Sequence, residues 1–356
     1  MKVDWNIFFP PGAGVLALPS WRNPRLYLSG SSLPRRWEES AMYPGSRWGA
    51  RFYRNLLRIV TAAGLKSRRN VRGDDWPLGE FAGEVMPELK SAVVLAGTPG
   101  PAQTLTAQLL DAKGRILGYL KYAETEAARQ RLRRELFMIS SIPEEITPRP
   151  IKFGLMGGGE ALLRGAVVGN PLRTTLPPED GVIALLSSLA VSSGMSLEAH
   201  PWARRIRSQG DHRLDYYLET LASREWPVVI QHGDFAPWNL LRTPGGAIKA
   251  IDWEFGAMEG FPYQDLCHYF LWVSFLIYRW EPLKAMQVVA EYLSRESAFS
   301  LSDAQARALI KLAAYDICQR LSEDGQHTSP EQKKWSLARR PTNSESRAWW
   351  LTIWEA

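Results

Sequence analysis

The spacing of apolar residues changes several times along the first part of the chain. Residues 1–34 alternate short apolar runs with turns rich in proline and glycine, a pattern that is typical of short β-strands. Across residues 46–63 the spacing becomes helical, with apolar side chains on one face and arginines on another. The apolar face holds Trp48, Phe52, Leu56 and Ile59, and the basic face holds Arg47, Arg51, Arg54 and Arg58. Residues 66–75 are charged and aperiodic, as in a linker, so we predict an N-terminal extension, residues 1–89, of short strands and one amphipathic helix.

Residues 90–168 have the pattern of a small antiparallel sheet that carries one helix. Strand-like runs are separated by turns, a helical segment follows, and a hairpin closes the block across consecutive glycines. The predicted strands are 91–96, 104–110 and 115–122, the predicted helix is 124–140, and the hairpin joins 149–155 to 160–168. We interpret this block as an N-terminal lobe.

Residues 169–356 are mainly helical, with one β-rich insertion at 227–251. The predicted helices are 179–193, 211–224, 265–280, 282–297 and 302–322. The two blocks together predict an α+β protein that has two lobes, a small sheet lobe at 90–168 and a larger helical lobe at 169–356.

The net charge of +6 is distributed unevenly over the 356 residues, because residues 1–90 carry +6 and residues 170–356 carry −3. A basic N-terminal region suits a polyanion or a membrane surface, and it suits a solvated basic face equally well. The two cysteines, Cys267 and Cys318, and a start without a signal-peptide pattern predict a cytoplasmic protein without a disulfide scaffold. The most apolar stretch, 266–280, is shorter than the roughly 20 residues of a membrane span, so we predict a buried helix there.

The segment 228–256 carries the residues with the clearest chemistry. An apolar strand leads into His232-Gly233-Asp234, Asn239 follows, and a short hairpin returns the chain to Asp252. Phosphoryl transfer needs a carboxylate that orients and deprotonates the acceptor hydroxyl, and Mg²⁺ that neutralises the phosphates. Mg²⁺ is bound by a few hard oxygen ligands, which carboxylate and amide side chains provide. A loop followed by a β-hairpin can bring Asp234, Asn239 and Asp252 together.

This motif, His232-x-Asp234 with Asn239 and then Ile251-Asp252-Trp253-Glu254, resembles the aminoglycoside phosphotransferase and choline kinase branch of the protein-kinase-like superfamily. The resemblance implies a bilobal protein-kinase-like fold that uses ATP and Mg²⁺. It also implies that Asp234 is the catalytic base, that His232 braces the catalytic loop, and that Asn239 and Asp252 bind Mg²⁺.

The same resemblance implies a nucleotide site in the preceding block. Lys121 would contact the ATP phosphates and pair with Glu135 of the predicted helix, for which Glu126 is an alternative. Without the resemblance, a solvated lysine and a helix-surface glutamate are the simpler interpretation. The backbone at Ala166 and Val167, between the lobes, would meet the adenine.

Two further features stay open at this stage. Gly97 and Gly100 could cover phosphates, or they could form a plain β-turn. Asp265, at the start of an apolar helix, corresponds to an aspartate of the family and would also suit a helix N-cap.

The leading hypothesis is a kinase of a small hydroxylated molecule. Because the charge of −3 over residues 170–356 is mild, we expect a sugar, a sugar-like alcohol or an amino alcohol as acceptor rather than a polycationic antibiotic. A second hypothesis is a kinase of a larger glycan or lipid-linked sugar, with residues 35–72 at a membrane surface. A third is a non-catalytic pseudokinase or scaffold. Nucleic acid is not an expected partner, and the pattern specifies no oligomeric state.

Overall fold

The computed structural model describes residues 4–18, 24–29, 42, 68–297, 299–325 and 343–356. These residues divide into two compact units. The first unit contains the described residues up to 144 together with 148–167, and the second contains 145–147, 168–325 and 343–356. The amphipathic helix predicted for 46–63 and most of the basic segment 35–72 lie outside the described residues, and they stay predictions.

The first unit is built on a single antiparallel sheet, which has eight strands in the described part of the chain. The strand order is β3-β1-β2-β4-β5-β6-β8-β7. The strands are β1 (Gly14–Leu18), β2 (Leu26–Leu28), β3 (Arg68–Asn70), β4 (Ser91–Ala96), β5 (Leu105–Leu110), β6 (Ile116–Ala123), β7 (Pro150–Met156) and β8 (Gly159–Gly165). Among the described residues of this unit, the α-helices are α1 (Pro77–Gly83) and α2 (Glu126–Ser141).

Helix α2 begins where the sequence provides a cap and an apolar stripe. The Thr125 side chain accepts a hydrogen bond from the Ala128 backbone N–H at 3.2 Å, which satisfies a donor of the first turn. The buried residues of α2 recur at helical spacing: Ala128, Leu132, Glu135, Met138 and Ile139. One acidic side chain, Glu135, therefore lies on the face that packs onto the sheet.

The N-terminal strands continue the same sheet rather than standing apart from it. β2 pairs with β4 through Leu26 and Leu95, and β1 pairs with both β2 and β3. Residues 68–70, which resemble part of a linker in sequence, form the edge strand β3. Charged residues suit such a position, because an edge strand pairs its backbone on one side only and charge there discourages pairing with another chain.

The second unit is mainly helical. Its helices are α3 (Asp180–Ser188), α4 (Pro201–Arg207), α5 (His212–Leu221), α6 (Gln264–Val273), α7 (Pro282–Arg295), α8 (Asp303–Gly325) and α9 (Asn343–Glu355). Its strands are β9 (Asn170–Pro171), β10 (Val229–Gln231), β11 (Leu240–Arg242), β12 (Ile248–Ala250) and β13 (Ala257–Gly260). The strands form two small antiparallel sheets, β10 with β13 and β12-β11-β9. These features confirm the α+β class predicted from the sequence.

Helix α8 organises the core of the second unit, because it packs against α5, α6, α7 and α9. Trp350 and Ile353 of α9 are fully buried in that core, and so is Trp226, whose indole N–H donates to the Leu221 carbonyl at 2.7 Å. The helix predicted for 265–280 is α6 followed by a π-helical turn, Ser274–Tyr278, which ends at Arg279 with φ of 56°. Among the described helices, none combines the length and the apolar character that crossing a bilayer requires.

The fold predicts that the N-terminal segment is a structural part of the first unit. Phe8 is fully buried, its ring lies edge-on to that of Tyr122 with centroids 5.3 Å apart, and its carbonyl accepts the Trp76 indole N–H. Phe8→Ala should lower the free energy of unfolding by about 3–5 kcal/mol, the cost of emptying a buried aromatic site. Urea unfolding measures this change.

The matched control is Leu155→Ala in β7, whose side chain is 77% exposed. It should alter the free energy of unfolding by no more than about 0.5 kcal/mol. If Phe8→Ala unfolds at the same urea concentration as the wild type, the segment is not part of the core.

Candidate active site

The carboxylate of Asp265, in the first turn of α6, holds the loop that follows β10. The His232 backbone N–H donates to Asp265 Oδ2 at 2.6 Å, and the Gly233 N–H donates to Oδ1 at 2.9 Å. Burial raises the pKa of Asp265, and the neighbouring His232 side chain and the two N–H donors oppose that rise. The N-cap of α6 is Tyr263, so Asp265 serves the loop instead of capping its own helix.

The His232 imidazole ties the loop to the strand that returns after the hairpin. Its Nδ1 accepts the Asp234 backbone N–H at 3.2 Å, and its Nε2 lies 2.9 Å from the Ile251 carbonyl oxygen. Because Nδ1 accepts, Nε2 carries the proton and donates to Ile251. The ring is fully buried, and its centroid lies 4.5 Å from that of Trp253. These are the contacts of a residue that braces a loop.

Gly233 has two structural reasons to be glycine. Its φ is +79°, in the left-handed region that side chains with a Cβ adopt at a cost. A Cβ atom at this position would also lie 2.4 Å from the Phe255 carbonyl oxygen. The loop can therefore approach the backbone after β12 only with glycine between His232 and Asp234.

Asn239 connects Asp234 with the hairpin β11–β12. Its side-chain Nδ2 donates to the Asp234 carbonyl oxygen at 2.8 Å and to Asp234 Oδ2 at 3.1 Å. Its backbone carbonyl accepts the Ile251 N–H at 2.9 Å. The pairing of Leu240 with Ala250 then carries the chain back to the same place. The second unit thus brings Asp234, Asn239 and the backbone that leads to Asp252 together.

Asp252 has a backbone conformation that only a few residue types tolerate. Its φ is 73°, which for a residue other than glycine costs of order 1–3 kcal/mol and is common at functional sites. The neighbouring residues hold it there. Ile251 is bonded to Asn239, and Trp253 is fully buried with its indole N–H donating to the Ala250 carbonyl at 3.1 Å.

Burial raises the pKa of Asp234, and neighbouring charges act in both directions. The Arg320 guanidinium and His232 lower the pKa, whereas the Asp252 carboxylate raises it. Asp234 and Asp252 are therefore close enough for their charges to interact, which is the arrangement expected of two carboxylates that serve one site.

Arg320 of α8 is a contact of this loop that the sequence did not indicate. Its guanidinium donates through Nη1 to the Gly233 carbonyl and through Nη2 to Asp316 Oδ2 at 2.7 Å. The guanidinium carbon lies 5.2 Å from the centre of the Phe255 ring. Arg320 follows Asp316 by four positions, but Asp303 and Arg307 have the same spacing on this helix, so the sequence carries no signal that distinguishes Arg320.

The His268 side chain of α6 lies between the carboxylates of Asp265 and Asp316. Its Nδ1 lies 3.8 Å from Asp265 Oδ1, and its Nε2 lies 3.8 Å from Asp316 Oδ2. Burial and the charge of Arg320 lower the pKa of His268 to about 3. The imidazole is therefore neutral at physiological pH and adds no charge to the network.

The first unit contains a cluster of buried charges on α2, β6 and β8. Lys121 Nζ lies 2.5 Å from Glu135 Oε2, and Arg164 Nη1 lies 2.9 Å from Glu135 Oε1. Glu126, the alternative partner for Lys121, lies in the exposed first turn of α2 beside Arg133 at 3.4 Å. The sequence did not indicate Arg164, although a charged residue inside an apolar strand signals a buried ionic partner.

Two other predicted positions lie in loops of the first unit. Ala166 and Val167 follow the end of β8, are half-buried and belong to no strand or helix. Gly97 and Gly100 lie in the connection between β4 and β5, where the Gly97 N–H donates to the Thr104 carbonyl and the Gln103 N–H donates to the Gly100 carbonyl. These bonds are those of a β-turn connection.

Residues 196–299 match the model of the APH family, described as the phosphotransferase enzyme family. In solved structures the chain is similar to a thermostable mutant of aminoglycoside phosphotransferase APH(4)-Ia, with 16% identity over 78% of this chain and 96% of that one, at a TM-score of 0.46. It is also similar to Plasmodium vivax ethanolamine kinase, with 11% identity over 78% and 85% of the chains and a TM-score of 0.45. Choline kinase LicA from Streptococcus pneumoniae is 13% identical over 78% and 97% of the chains, with a TM-score of 0.44. No protein with a curated description matches the sequence.

The class of protein is inferred from the family match, and not from these weak structural likenesses. It extends across the loop and hairpin that carry Asp234, Asn239 and Asp252, and it supports an ATP-dependent phosphotransferase. Over residues 196–299 the match agrees with the family that the motif resembles.

The contacts of Asp265 predict how the loop responds to a minimal change. Asp265→Asn has one carbonyl oxygen in place of two carboxylate oxygens, so one of the two backbone N–H groups loses its acceptor. We expect the free energy of unfolding to fall by about 1–3 kcal/mol, the cost of a buried donor without a partner. Urea unfolding followed by tryptophan fluorescence measures it.

The control is Asp303→Asn, which changes an exposed aspartate that pairs with Arg307 in the first turn of α8. This exposed pair should contribute no more than about 0.5 kcal/mol. Equal effects of the two substitutions would contradict the anchoring role of Asp265.

Proposed function

We propose that the protein transfers the γ-phosphate of ATP to a hydroxyl group of a small molecule, a sugar, a sugar-like alcohol or an amino alcohol. Asp234 is the catalytic base, and Asn239 and Asp252 bind Mg²⁺. The reaction takes place in the cytoplasm, where ATP is available. The two cysteines, Cys267 and Cys318, are buried free thiols, which suits a reducing compartment.

The contacts of Asp234 are the observation that supports this proposal most strongly. Its backbone N–H is bonded to His232, its carbonyl and Oδ2 are bonded to Asn239, and the preceding peptide is held by Asp265. A base must be fixed against rotation to accept a proton from one hydroxyl. With Oδ2 engaged by Asn239, the acceptor hydroxyl would donate to Oδ1.

Burial supports the same role, because it raises the pKa of Asp234. A carboxylate with a raised pKa is a stronger base than a carboxylate in water, and its proton affinity lies nearer to that of the group it deprotonates. The Arg320 guanidinium acts in the opposite direction and lowers the pKa of Asp234.

The donor set of Asn239 and Asp252 fits Mg²⁺. Because the Asn239 amide nitrogen faces Asp234, its amide oxygen points away from that carboxylate and would be the ligand atom. Asp252 adds a charged oxygen at a backbone position held in a left-handed conformation. When bound, Mg²⁺ supplies charge neutralisation for the transferred phosphate.

The nucleotide would be bound by residues of the first unit. Lys121, held by Glu135, would contact the ATP phosphates, and the backbone of Ala166 and Val167 would contact the adenine. Both loop residues lie outside the regular strands, where backbone groups are available to a ligand.

Two alternatives make different predictions in a test of acceptors. A kinase of a larger glycan or lipid-linked sugar would ignore small acceptors, and a pseudokinase would bind nucleotide without turnover. The bonded set of Asp234, Asn239 and His232 supports an active enzyme, because a scaffold has no need of a fixed carboxylate.

The test is ADP release from Mg-ATP in the presence of individual sugars, sugar-like alcohols and amino alcohols. The phosphorylated product is identified by mass spectrometry. We expect release above the ATP-only background with at least one small acceptor and none after chelation of Mg²⁺. Turnover with lipid-linked sugars alone would favour the larger-acceptor hypothesis, and nucleotide binding without any turnover would favour the pseudokinase.

Asp234→Asn should leave folding and Mg-ATP binding intact and should lower turnover by a factor of about 10² or more, since general-base catalysis contributes roughly 10²–10⁴. Turnover is measured with the acceptor found above. Asp215→Asn is the control, because Asp215 is an exposed acid of α5. A loss of less than tenfold in Asp234→Asn would remove Asp234 from the role of base.

Asp252→Ala should weaken Mg-ATP binding more than Asn239→Ala does, because it removes a charged ligand rather than a neutral one. Calorimetric titration with Mg-ATP gives the order. Asp252→Asn is the matched variant, since asparagine tolerates the left-handed backbone and keeps one oxygen. Its affinity should fall between wild type and Asp252→Ala. Wild-type affinity in Asp252→Ala would exclude Asp252 as a ligand.

A further inference from the structure

The peptide group between Gly233 and Asp234 is the last one before the candidate base, and it follows a glycine. That residue must be glycine, because its φ is +79° and a Cβ atom would lie 2.4 Å from the Phe255 carbonyl oxygen. Glycine, however, adopts other backbone conformations at little cost. The close approach to Phe255 therefore leaves the next peptide group free to rotate unless other contacts hold it, and its rotation would change the direction of the Asp234 side chain.

Two side chains hold this peptide group at its polar atoms. Its N–H, that of Asp234, donates to His232 Nδ1 at 3.2 Å, and its carbonyl, that of Gly233, accepts a hydrogen bond from Arg320 Nη1. His232 belongs to the loop itself, whereas Arg320 lies on α8, the helix that organises the core of the second unit. The bond from Arg320 therefore fixes the peptide group relative to that core.

The Arg320 guanidinium is itself held in one orientation. Its Nη2 donates to Asp316 Oδ2 at 2.7 Å and lies 3.5 Å from His268 Nε2, and its carbon lies 5.2 Å from the centre of the Phe255 ring. A guanidinium only donates hydrogen bonds, so His268 Nε2 is the acceptor in this contact. Because the group is planar, the contacts of Nη2 determine the direction in which Nη1 points.

An effect of charge alone is the alternative, since Arg320 also lowers the pKa of Asp234. The two roles differ in what they require of Asp316. A charge near Asp234 would act without Asp316, and loss of that opposing carboxylate would preserve its effect. A positioning contact needs the guanidinium to be aimed at the Gly233 carbonyl, and loss of Asp316 would weaken it. The geometry favours positioning, because Nη1 and Nη2 have separate acceptors.

We propose that Arg320 is a positioning residue for phosphoryl transfer, which acts through the Gly233 carbonyl by fixing the peptide group that precedes Asp234. This inference rests on the proposed function, because it takes Asp234 as the base. It adds a residue of α8 to those on which the rate of transfer depends, and it concerns that rate rather than the binding of nucleotide or acceptor.

Helix α8 carries a second pair with the same spacing, which provides matched controls. Arg307 is bonded to Asp303 at 2.7 Å, the same distance as between Arg320 and Asp316. The side chains of Arg307 and Asp303 are 43% and 60% exposed, and within the described residues no hydrogen bond joins either of them to the loop 232–239. If Arg320 merely stabilised α8, loss of either arginine should have a similar effect.

The experiment is steady-state kinetics of the full chain with Mg-ATP and the small acceptor identified by the screen above. Arg320→Met should lower kcat about tenfold or more, since a misplacement of about 1 Å can cost a factor of about 10², and it should leave both KM values nearly unchanged. Arg320→Lys keeps a charged donor for one acceptor at a time, so its kcat should lie between wild type and Arg320→Met. Asp316→Ala should lower kcat by a smaller factor. Arg307→Met and Asp303→Ala should have the wild-type kcat.

Asp234→Asn separates the failure of this inference from the failure of the proposed function. If Asp234→Asn keeps its turnover, or if no acceptor supports turnover, the proposed function is wrong and the inference falls with it. If Asp234→Asn loses turnover and Arg320→Met does not, only the inference is overturned.

Three further results would overturn the inference alone. They are equal losses in Arg320→Met and Arg307→Met, a raised KM for Mg-ATP in place of a lower kcat, and a wild-type kcat in Asp316→Ala. Thermal unfolding verifies that each variant is folded. If Arg320→Met does not fold, Arg320→Lys and Asp316→Ala decide the question.

Discussion

The Asp265 carboxylate accepts the backbone N–H groups of both His232 and Gly233, and the orientation of Asp234 depends on those two bonds. Two consecutive peptide groups are thereby fixed on one rigid helix before the chain reaches the candidate base. A buried carboxylate loses hydration, and the two donors replace the water it gives up. The next peptide, between Gly233 and Asp234, is then held by Arg320 at its carbonyl and by the His232 ring at its N–H.

The remaining contacts of the loop come from segments far away in the sequence. His232 binds Ile251 on one side, and Arg320, 87 residues after Gly233, binds the Gly233 carbonyl on the other. Each contact uses a different group of the same short stretch: two amides, one imidazole and one carbonyl. A loop held by donors and acceptors from several elements loses little further entropy when a substrate binds, which is the physical value of such preorganisation for phosphoryl transfer.

The sequence could predict that Asp234, Asn239 and Asp252 lie close together, because a strand, a loop and a short hairpin return the chain to the same place. The choice between Glu135 and Glu126 could not be made, since both lie on one helix and only packing determines which of them is buried. Arg320 was not indicated because its partner is remote in sequence. Strand β3 was not predicted, because a strand is recognised by its apolar side chains and this edge strand carries charged ones.

Asp265 of the second unit and Glu135 of the first unit have similar bonding patterns. In each case one buried carboxylate uses its two oxygens for two different donors, backbone amides for Asp265 and side-chain cations for Glu135. A carboxylate bonded through a single oxygen can still rotate about its terminal torsion, whereas one bonded through both oxygens is fixed. The donors differ in charge, and so do the consequences. Backbone amides bind Asp265, which suits an anchor for a loop, whereas a lysine and an arginine bind Glu135, which joins two strands of the sheet to helix α2.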